Sequence, residues 1–185
     1  MSEGLPRVVI TGLGIVSSIG NCLAEIVGYG AAHDGADMFL PSGEGLRLAI
    51  DQALAAAADL GVTEIDYINT HGTGTLPNDR VEAEVIRRRF GDRPLVSSTK
   101  GLAGHSQGAT SAQEVVFTVL MLHHGFVAPT VNLENIAPEC KGIRHARQLV
   151  ETPLRTAMKW TSGLGGTNAC LVLRKGPACC QPSAA

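Results

Sequence analysis

Apolar and polar positions along this chain follow two spacings, which predict strands and helices in alternation. Two β-branched or apolar runs, residues 8–11 and 24–31, predict buried strands close to the start of the chain. From residue 41 onward the pattern gives helix, strand, helix, strand, helix and a closing pair of strands. This order predicts an α/β layer built on a mixed sheet.

The boundaries of the predicted helices come from capping residues and from glycines. The first helix is expected to begin at Ser42 and to end near Leu60. The second is expected to be capped by Asp79, and the third to run from Ser106 to about His124.

Four strand segments complete the predicted sheet. Residues 65–70 form a strand that ends just before His71, and residues 94–99 form one that ends just before Lys100. The closing strands cover residues 156–163 and 168–174, joined by a glycine-containing hairpin.

Two histidines lie where open α/β sheets bind ligands, because each follows a predicted strand in a glycine-containing loop. The positive end of the helix that begins near Ser106 disfavours a cation, so His105 is expected to stay neutral. Neutral His71 and His105 could each donate a hydrogen bond to one carbonyl oxygen and stabilise a developing enolate. A single histidine after a strand is more often structural, but the pair, with Lys100 and the glycine loops, favours a site.

Other residues extend this candidate site. Lys100 provides a fixed positive charge and is expected to pair with a carboxylate such as Glu82, since a lone buried ammonium is costly. Thr73 and Thr75 offer hydroxyls beside His71. The loop containing Gly163, Leu164 and Gly165 offers backbone N–H groups as a second possible oxyanion site.

Composition limits the other classes of function. A net charge of −2 and only 4% aromatic residues argue against nucleic-acid binding. Gly12, Gly14 and Ser17 fall short of a dinucleotide fingerprint, and no spacing of Cys and His predicts a metal site. The three arginines at 87–89 are most simply a solvated helix end, or else a contact for an acidic carrier protein.

Compartment is predicted from the cysteines and the apolar runs. Five cysteines without a C-x-x-C pair, and no signal peptide, predict a reducing, cytoplasmic environment. No apolar run is long enough for a membrane span. Residues 176–185 are expected to form a disordered tail.

Three segments together resemble the elongating β-ketoacyl-acyl-carrier-protein synthases: THGTGTLPND, SSTKGLAGHSQGATSA and SGLGGTNACLVL. RVVITGLGIVSSIG resembles the opening strand of that family, and AEIVGYGAAHDGADM a later passage. The resemblance implies the thiolase fold, in which two similar α/β halves pack together. It also implies decarboxylative condensation of malonyl-carrier protein with an acyl thioester, in a homodimer, without a cofactor beyond the carrier's phosphopantetheine.

By this resemblance His71 and His105 bind the malonyl thioester carbonyl, and Lys100 is the active-site lysine. Glu82 matches a glutamate that organises the lysine, and Thr73 and Thr75 match threonines that contact phosphopantetheine. Two departures stand out. No cysteine has the setting of the family's nucleophile, and Ser162 and Leu164 replace two phenylalanines that gate the acyl pocket.

We therefore expect an internally truncated member: residues 1–40 a remnant of the N-terminal half, and residues 41–175 a complete C-terminal half with a five-stranded mixed sheet. One hypothesis is an enzyme that condenses or decarboxylates malonyl thioesters, with its missing part supplied by another chain. The alternative is a non-catalytic fragment that binds carrier protein or a full-length synthase. The missing region would contain much of the family's dimer interface. Because its loss should also leave apolar surface uncovered, we expect a poorly soluble or oligomeric product.

Overall fold

The computed structural model describes residues 8–10, 23–35 and 37–176. Residues 11–22, residues 177–185 of the predicted tail and three of the five cysteines lie outside the described residues. The strands are β1 Val8–Ile10, β2 Ala24–His33, β3 Tyr67–Asn69, β4 Leu95–Ser97, β5 Phe126–Val127, β6 Arg144–His145, β7 Val150–Glu151, β8 Thr156–Ser162 and β9 Thr167–Lys175. The α-helices are α1 Glu44–Asp59, α2 Leu76–Phe90, α3 Lys100–Ala103 and α4 Thr110–His124.

The main sheet has seven strands in the order β1-β2-β9-β8-β3-β4-β6, and β5 pairs with β7 separately. The strands β8, β3, β4 and β6 are parallel, whereas β9 is antiparallel to both β8 and β2. The predicted mixed α/β sheet and the terminal hairpin are therefore confirmed. Five of the seven strands come from residues 41–175, which is the number expected there.

Helices cover both faces of this sheet. On one face α1 and α2 bury Leu46, Ile50 and Ile86 against the strands. On the other face α4 buries Val119 and Leu122. The result is three layers, and the carboxyl ends of β3 and β4 emerge between them at one edge.

The strand β2 lies before the boundary predicted at residue 40, yet it pairs with β9 from Ala24 to His33. The helix α1 packs across both strands, with Ala49 and Ala53 fully buried. In the described chain, one sheet therefore runs across that boundary. The origin of residues 1–40 in another half stays a prediction.

Each predicted helix start is displaced along the chain. The residue before α1 is Gly43 with φ 88°, although the Ser42 hydroxyl still accepts from the Glu44 N–H at 3.1 Å while it donates to Asp34 Oδ2 at 2.7 Å. The cap position of α2 is Thr75, four residues before the predicted cap Asp79. The first turn of α2 accepts a proline, whose missing N–H costs nothing there. The helix α4 begins at Thr110, not Ser106, after the short helix α3 and a 3₁₀ turn.

Exposed large apolar side chains lie in loops, in helices and on one strand. Met38, Phe39 and Leu40 follow β2, Leu102 lies in α3, and Leu164 lies between β8 and β9. The helix α4 covers only part of the sheet face opposite α1, since Tyr29 of β2 is 60% exposed there. Poor solubility or oligomerisation stays a prediction. Among the described helices, none is long and apolar enough to cross a membrane.

Close packing of α1 on β2 depends on glycine. A Cβ added at Gly30 would lie 2.0 Å from the carbonyl oxygen of Ala49, and one at Gly28 would lie 2.1 Å from that of Ala53. Both obstacles are backbone atoms, which cannot rotate away as a side chain could. The contact therefore excludes any side chain at these two positions unless the helix moves.

We expect Gly30→Ala to lower the free energy of unfolding by about 1–3 kcal/mol, because the added methyl group overpacks the α1–β2 contact. Urea unfolding followed by circular dichroism measures the loss. Gly108→Ala is the matched control, since a Cβ at Gly108 meets no atom within 4 Å. Equal midpoints for the two variants would contradict the close-packing argument.

Candidate functional site

His71 lies just beyond the carboxyl end of β3, in a loop fixed by one carboxylate. The backbone N–H groups of His71 and Gly72 each donate to Glu82 at 2.7 Å. Gly72 has φ 45°, and a Cβ there would lie 2.5 Å from Cβ of Ser98. The loop is thus held by Glu82 from one side and by the β4 end from the other.

Glu82 reaches this loop from the buried side of α2. Besides the two backbone donors, its carboxylate accepts hydrogen bonds from Asn78 Nδ2 at 2.7 Å and from Trp160 Nε1. Burial raises the pKa of Glu82, and these hydrogen bonds oppose that rise. Glu82 therefore anchors the His71 loop.

The predicted pairing of Lys100 with Glu82 is wrong. Lys100 Nζ lies 2.6 Å from Oε1 of Glu114 and also donates to the carbonyl oxygen of His71. The physical reason is that four donors already surround the Glu82 carboxylate, whereas α4 places Glu114 directly beside the ammonium. Lys100 and Glu114 are both buried.

A second buried ammonium, that of Lys159 in β8, completes this cluster and was missed in the sequence. Its Nζ lies 2.9 Å from Oε2 of Glu114, close enough for an ion pair although not in hydrogen-bond geometry. It also donates to the carbonyl oxygens of Trp160 and, at 3.4 Å, Thr70. The available signal was a lysine at an inward position of TAMKWT, two residues after buried Ala157.

The structure brings the two predicted histidines together. The ring centroids of His71 and His105 are 5.5 Å apart and the rings are nearly perpendicular, at 84°. His71 is buried, whereas His105 is exposed in the segment between α3 and α4. Nδ1 of His105 lies 3.0 Å from the hydroxyl of Thr110 and accepts from the Gln107 N–H at 3.3 Å.

The surroundings keep His71 uncharged. Burial, followed by the nearby charges of Lys100 and Lys159, lowers the pKa of His71 to about 3. At neutral pH this imidazole is therefore a neutral group with one donor and one acceptor nitrogen. Nδ1 of His71 lies 3.4 Å from the Thr161 hydroxyl.

A cavity of about 440 Å³ opens beside Lys100 and His105, and His71 is not among the residues that line it. Thr73 lines it too, together with the loop at residues 130–137. Thr75 Oγ1 lies 2.9 Å from Thr73 Oγ1. A larger cavity of about 860 Å³ lies between α1 and α2, but several of its charged side chains pair with one another and neither histidine lines it.

In the glycine loop after β8, two of the backbone donors predicted for a second oxyanion site are engaged within the protein, while a donor role of the Leu164 N–H stays a prediction. The N–H of Gly163 donates to the carbonyl oxygen of Thr167 at 2.7 Å, and the N–H of Gly165 donates to that of Met38 at 2.9 Å. Both donors are therefore already used in this conformation. Leu164, between them, is exposed.

Neither described cysteine has the character of an activated nucleophile. Cys170 is fully buried in β9, and burial raises the pKa of its thiol to about 12. Cys140 lines the 440 Å³ cavity, where burial and then Asp79 raise its pKa. In the described part of the chain, no group of three or more His, Cys, Asp or Glu could hold a metal ion.

Comparison with known proteins connects this geometry to a family. The family model described as "Beta-ketoacyl synthase, C-terminal domain" matches residues 23–134. The 3-oxoacyl-acyl-carrier-protein synthase 1 of Escherichia coli is 46% identical over 153 residues, which are 82% of this chain and 37% of that protein. The same enzyme of Haemophilus influenzae is 45% identical over 154 residues, again 82% and 37%.

Solved structures agree with the sequence relatives. A β-ketoacyl synthase from Burkholderia phymatum superposes with a TM-score of 0.79 at 34% identity, covering 84% of this chain and 38% of that one. AntDE:AntF, a type II PKS acyl-carrier protein in complex with its ketosynthase, superposes with a TM-score of 0.77 at 28% identity. This match covers 84% of this chain and 39% of that one. The chain thus spans well under half the length of the relatives it matches. Its described structure has their thiolase-like α/β fold, and the chain belongs to the β-ketoacyl synthase family.

Proposed function

We propose that this chain carries the thioester-carbonyl half-site of a β-ketoacyl-acyl-carrier-protein synthase. In this half-site His71 and His105 hold the carbonyl oxygen of a malonyl thioester and favour its decarboxylation. The observation that supports the proposal is the 5.5 Å separation of the two imidazole rings beside a buried ammonium. One oxygen atom can accept a hydrogen bond from each ring at that separation.

The tautomer of His105 supports its role as a donor. Because the N–H of Gln107 donates to Nδ1 of His105, Nδ1 is an acceptor and the ring proton of the neutral imidazole lies on Nε2. In His71 the Thr161 hydroxyl lies 3.4 Å from Nδ1 and can donate or accept; we propose that it donates, which places the ring proton on Nε2 here too. Each ring then has an Nε2–H available for a substrate oxygen.

The reaction we propose needs only these donors. The bond between the α-carbon and the carboxylate breaks, carbon dioxide leaves, and the electron pair moves onto the thioester oxygen as an enolate. Hydrogen bonds from His71 and His105 stabilise that charge as it forms. Without an acyl acceptor, the enolate takes a proton from water and becomes an acetyl thioester.

Lys100 and the two threonines support the same reaction from the cavity. The Lys–Glu–Lys cluster carries one net positive charge below the histidines, which favours a developing anion. Thr73 lines the cavity and its hydroxyl lies 2.9 Å from that of Thr75, so the pair could hold the amide groups of a phosphopantetheine arm. An acyl carrier protein is accordingly the partner we propose.

Full condensation requires more than this chain offers in its described part. Transfer of an acyl group needs a covalent acyl-enzyme, and neither described cysteine is activated. His105 is also exposed to water, which weakens its electrostatic effect on a bound oxygen. We propose that a second chain supplies the nucleophile and covers His105 during condensation.

A non-catalytic binding fragment is the alternative function. Its support is the exposed apolar side chains of Phe39, Leu102 and Leu164, which suit burial against another protein. Such a fragment would bind carrier protein or a full-length synthase without turnover. Release of carbon dioxide separates the two functions.

We expect the purified chain to release carbon dioxide from malonyl-acyl-carrier protein, and His105→Ala to slow that release. Loss of one such donor costs roughly 10²-fold or more in an enclosed site, and we expect roughly tenfold here because His105 is exposed. His124→Ala is the matched control, since His124 lies exposed at the far end of α4. Equal release from the parent and His105→Ala would leave only the binding alternative for the isolated chain.

We expect the depressed pKa of His71 to make the protein less stable in acid. Between its ordinary value of 6.5 and about 3, the unfolded chain binds a proton at His71 that the folded chain does not. The free energy of unfolding therefore falls as the pH falls through this window, by at most about 1.4 kcal/mol per pH unit from this group.

Urea unfolding of the parent and of His71→Gln, at neutral pH and at about pH 5, isolates that contribution because the carboxylates titrate alike in both proteins. The parent should lose more stability than the variant on acidification. Parallel losses would show that His71 is protonated normally in the folded state.

A further inference from the structure

Lys159 is a buried cation that the proposed reaction does not use. Only 2% of the residue is exposed, and its ammonium lies among three oxygens from three elements. These are the carbonyl oxygen of Thr70 after β3, that of Trp160 in β8, and Oε2 of Glu114 in α4. Two of these oxygens accept hydrogen bonds from the ammonium, and the Glu114 oxygen pairs with its charge.

The position of Lys159 in the sheet explains how this cage forms. Asn69 is registered with Ser97 of β4 on one side and with Lys159 of β8 on the other. All three polar residues follow, at a spacing of two, apolar or aromatic residues that pack toward α4: Tyr67, Leu95 and Ala157. A polar row therefore crosses three parallel strands beneath α4, at the strand ends that lead to the histidines.

The side chain of Asn69 lies in the same buried row. Its Oδ1 and Nδ2 make no hydrogen bond of ordinary geometry in the described chain, although the Tyr67 hydroxyl interacts with the amide. Because Asn69 neighbours Lys159 in register, this amide adds polar atoms of both kinds, acceptor and donor, to the row. A buried region so rich in oxygen acceptors requires a cation or several donors to be stable.

We propose that Lys159 is a positioning residue whose ammonium acts as a tethered cation. It fills the oxygen cage formed by Thr70, Trp160 and Glu114, and so fixes the end of β3, from which His71 projects, against α4. The adjacent carboxylate oxygen, Oε1 of Glu114, holds Lys100. Lys159 therefore sets the position of both the histidine loop and the active-site lysine without touching the substrate.

Charge sharing at Glu114 makes the two lysines interdependent. One carboxylate serves two ammoniums, at 2.6 Å and 2.9 Å, so the buried cluster retains one positive charge. Burial lowers the pKa of Lys159, the charge of Lys100 adds to that effect, and Glu114 opposes it. The positive charge also reaches His71, whose protonation it disfavours.

Chemical rescue tests whether the cage needs a cation at that point. Lys159→Ala removes the ammonium and leaves space for a small primary amine such as ethylammonium. We expect Lys159→Ala to unfold at a lower temperature than the parent, and ethylammonium to raise its melting temperature as the amine concentration increases. Tetramethylammonium at equal ionic strength should have no such effect, because it has no N–H group and is too large.

Lys175→Ala is the matched control for the rescue. The Lys175 ammonium is exposed and donates to the carbonyl oxygen of His123. Its removal leaves no buried group of oxygens for an amine to fill, so ethylammonium should not raise the melting temperature of Lys175→Ala. If Lys159→Ala fails to fold alone, the yield of folded protein on refolding with each amine becomes the readout. Equal responses to ethylammonium and tetramethylammonium, in either measurement, would overturn the proposal.

A second readout separates positioning from simple stabilisation. The charged or titratable groups that act on the His71 ring are Lys100, Lys159 and His105. The carboxylate of Glu82 accepts from the backbone N–H of His71. In Lys159→Met the charge is lost while the volume is kept, so the imidazole of His71 should titrate at higher pH by nuclear magnetic resonance. Adding ethylammonium to Lys159→Ala should move the titration of His71 back toward that of the parent.

An unchanged His71 titration in folded Lys159→Met would show that Lys159 does not act on the site. Neither readout depends on turnover, so they test the role of Lys159 separately from the proposed decarboxylation. The inference goes beyond the proposed function, because it concerns how the chain holds its site in place before any substrate binds.

Discussion

The carboxylate of Glu114 joins the parts of the molecule on which the site depends. From α4 it contacts Lys100, which follows β4, and Lys159, which lies in β8. Such a buried ion cluster is stable only when each charge is paired, and removal of one partner from a buried pair typically costs about 3–5 kcal/mol. The arrangement of the strand ends is therefore tied to the position of α4.

Glu82 plays the complementary part on the other side of the sheet. It gathers two backbone N–H groups, an amide and an indole, and so fixes the loop that carries His71. The two glutamates thus have different roles. Glu82 fixes the backbone of the His71 loop, and Glu114 pairs with the two buried ammonium groups. Between them, the His71 imidazole is buried, neutral and close to His105.

His105 differs from His71 because its surroundings in the described chain are open to water. Residues 101–109 are exposed throughout, and Leu102 is an exposed apolar side chain within them. A preorganised hydrogen-bond donor acts most strongly where water is excluded. This asymmetry supports the proposal that the chain, which spans 37% of the length of its Escherichia coli relative, holds one side of a shared site.

Sequence alone determined the α/β order, the closing hairpin and the two histidines, because these depend on local periodicity and on motifs at strand ends. The resemblance to β-ketoacyl synthases also followed from short contiguous segments. Sequence gave no means of choosing between Glu82 and Glu114 as the partner of Lys100, since both lie on helices at a plausible distance along the chain.

Tertiary structure decided that choice, and it also decided the role of Lys159 and the loss of the expected N–H donors at Gly163 and Gly165. These features depend on which groups from separate elements meet in space. A buried charge or donor takes the partner that packing places beside it, and no spacing along the chain specifies that partner.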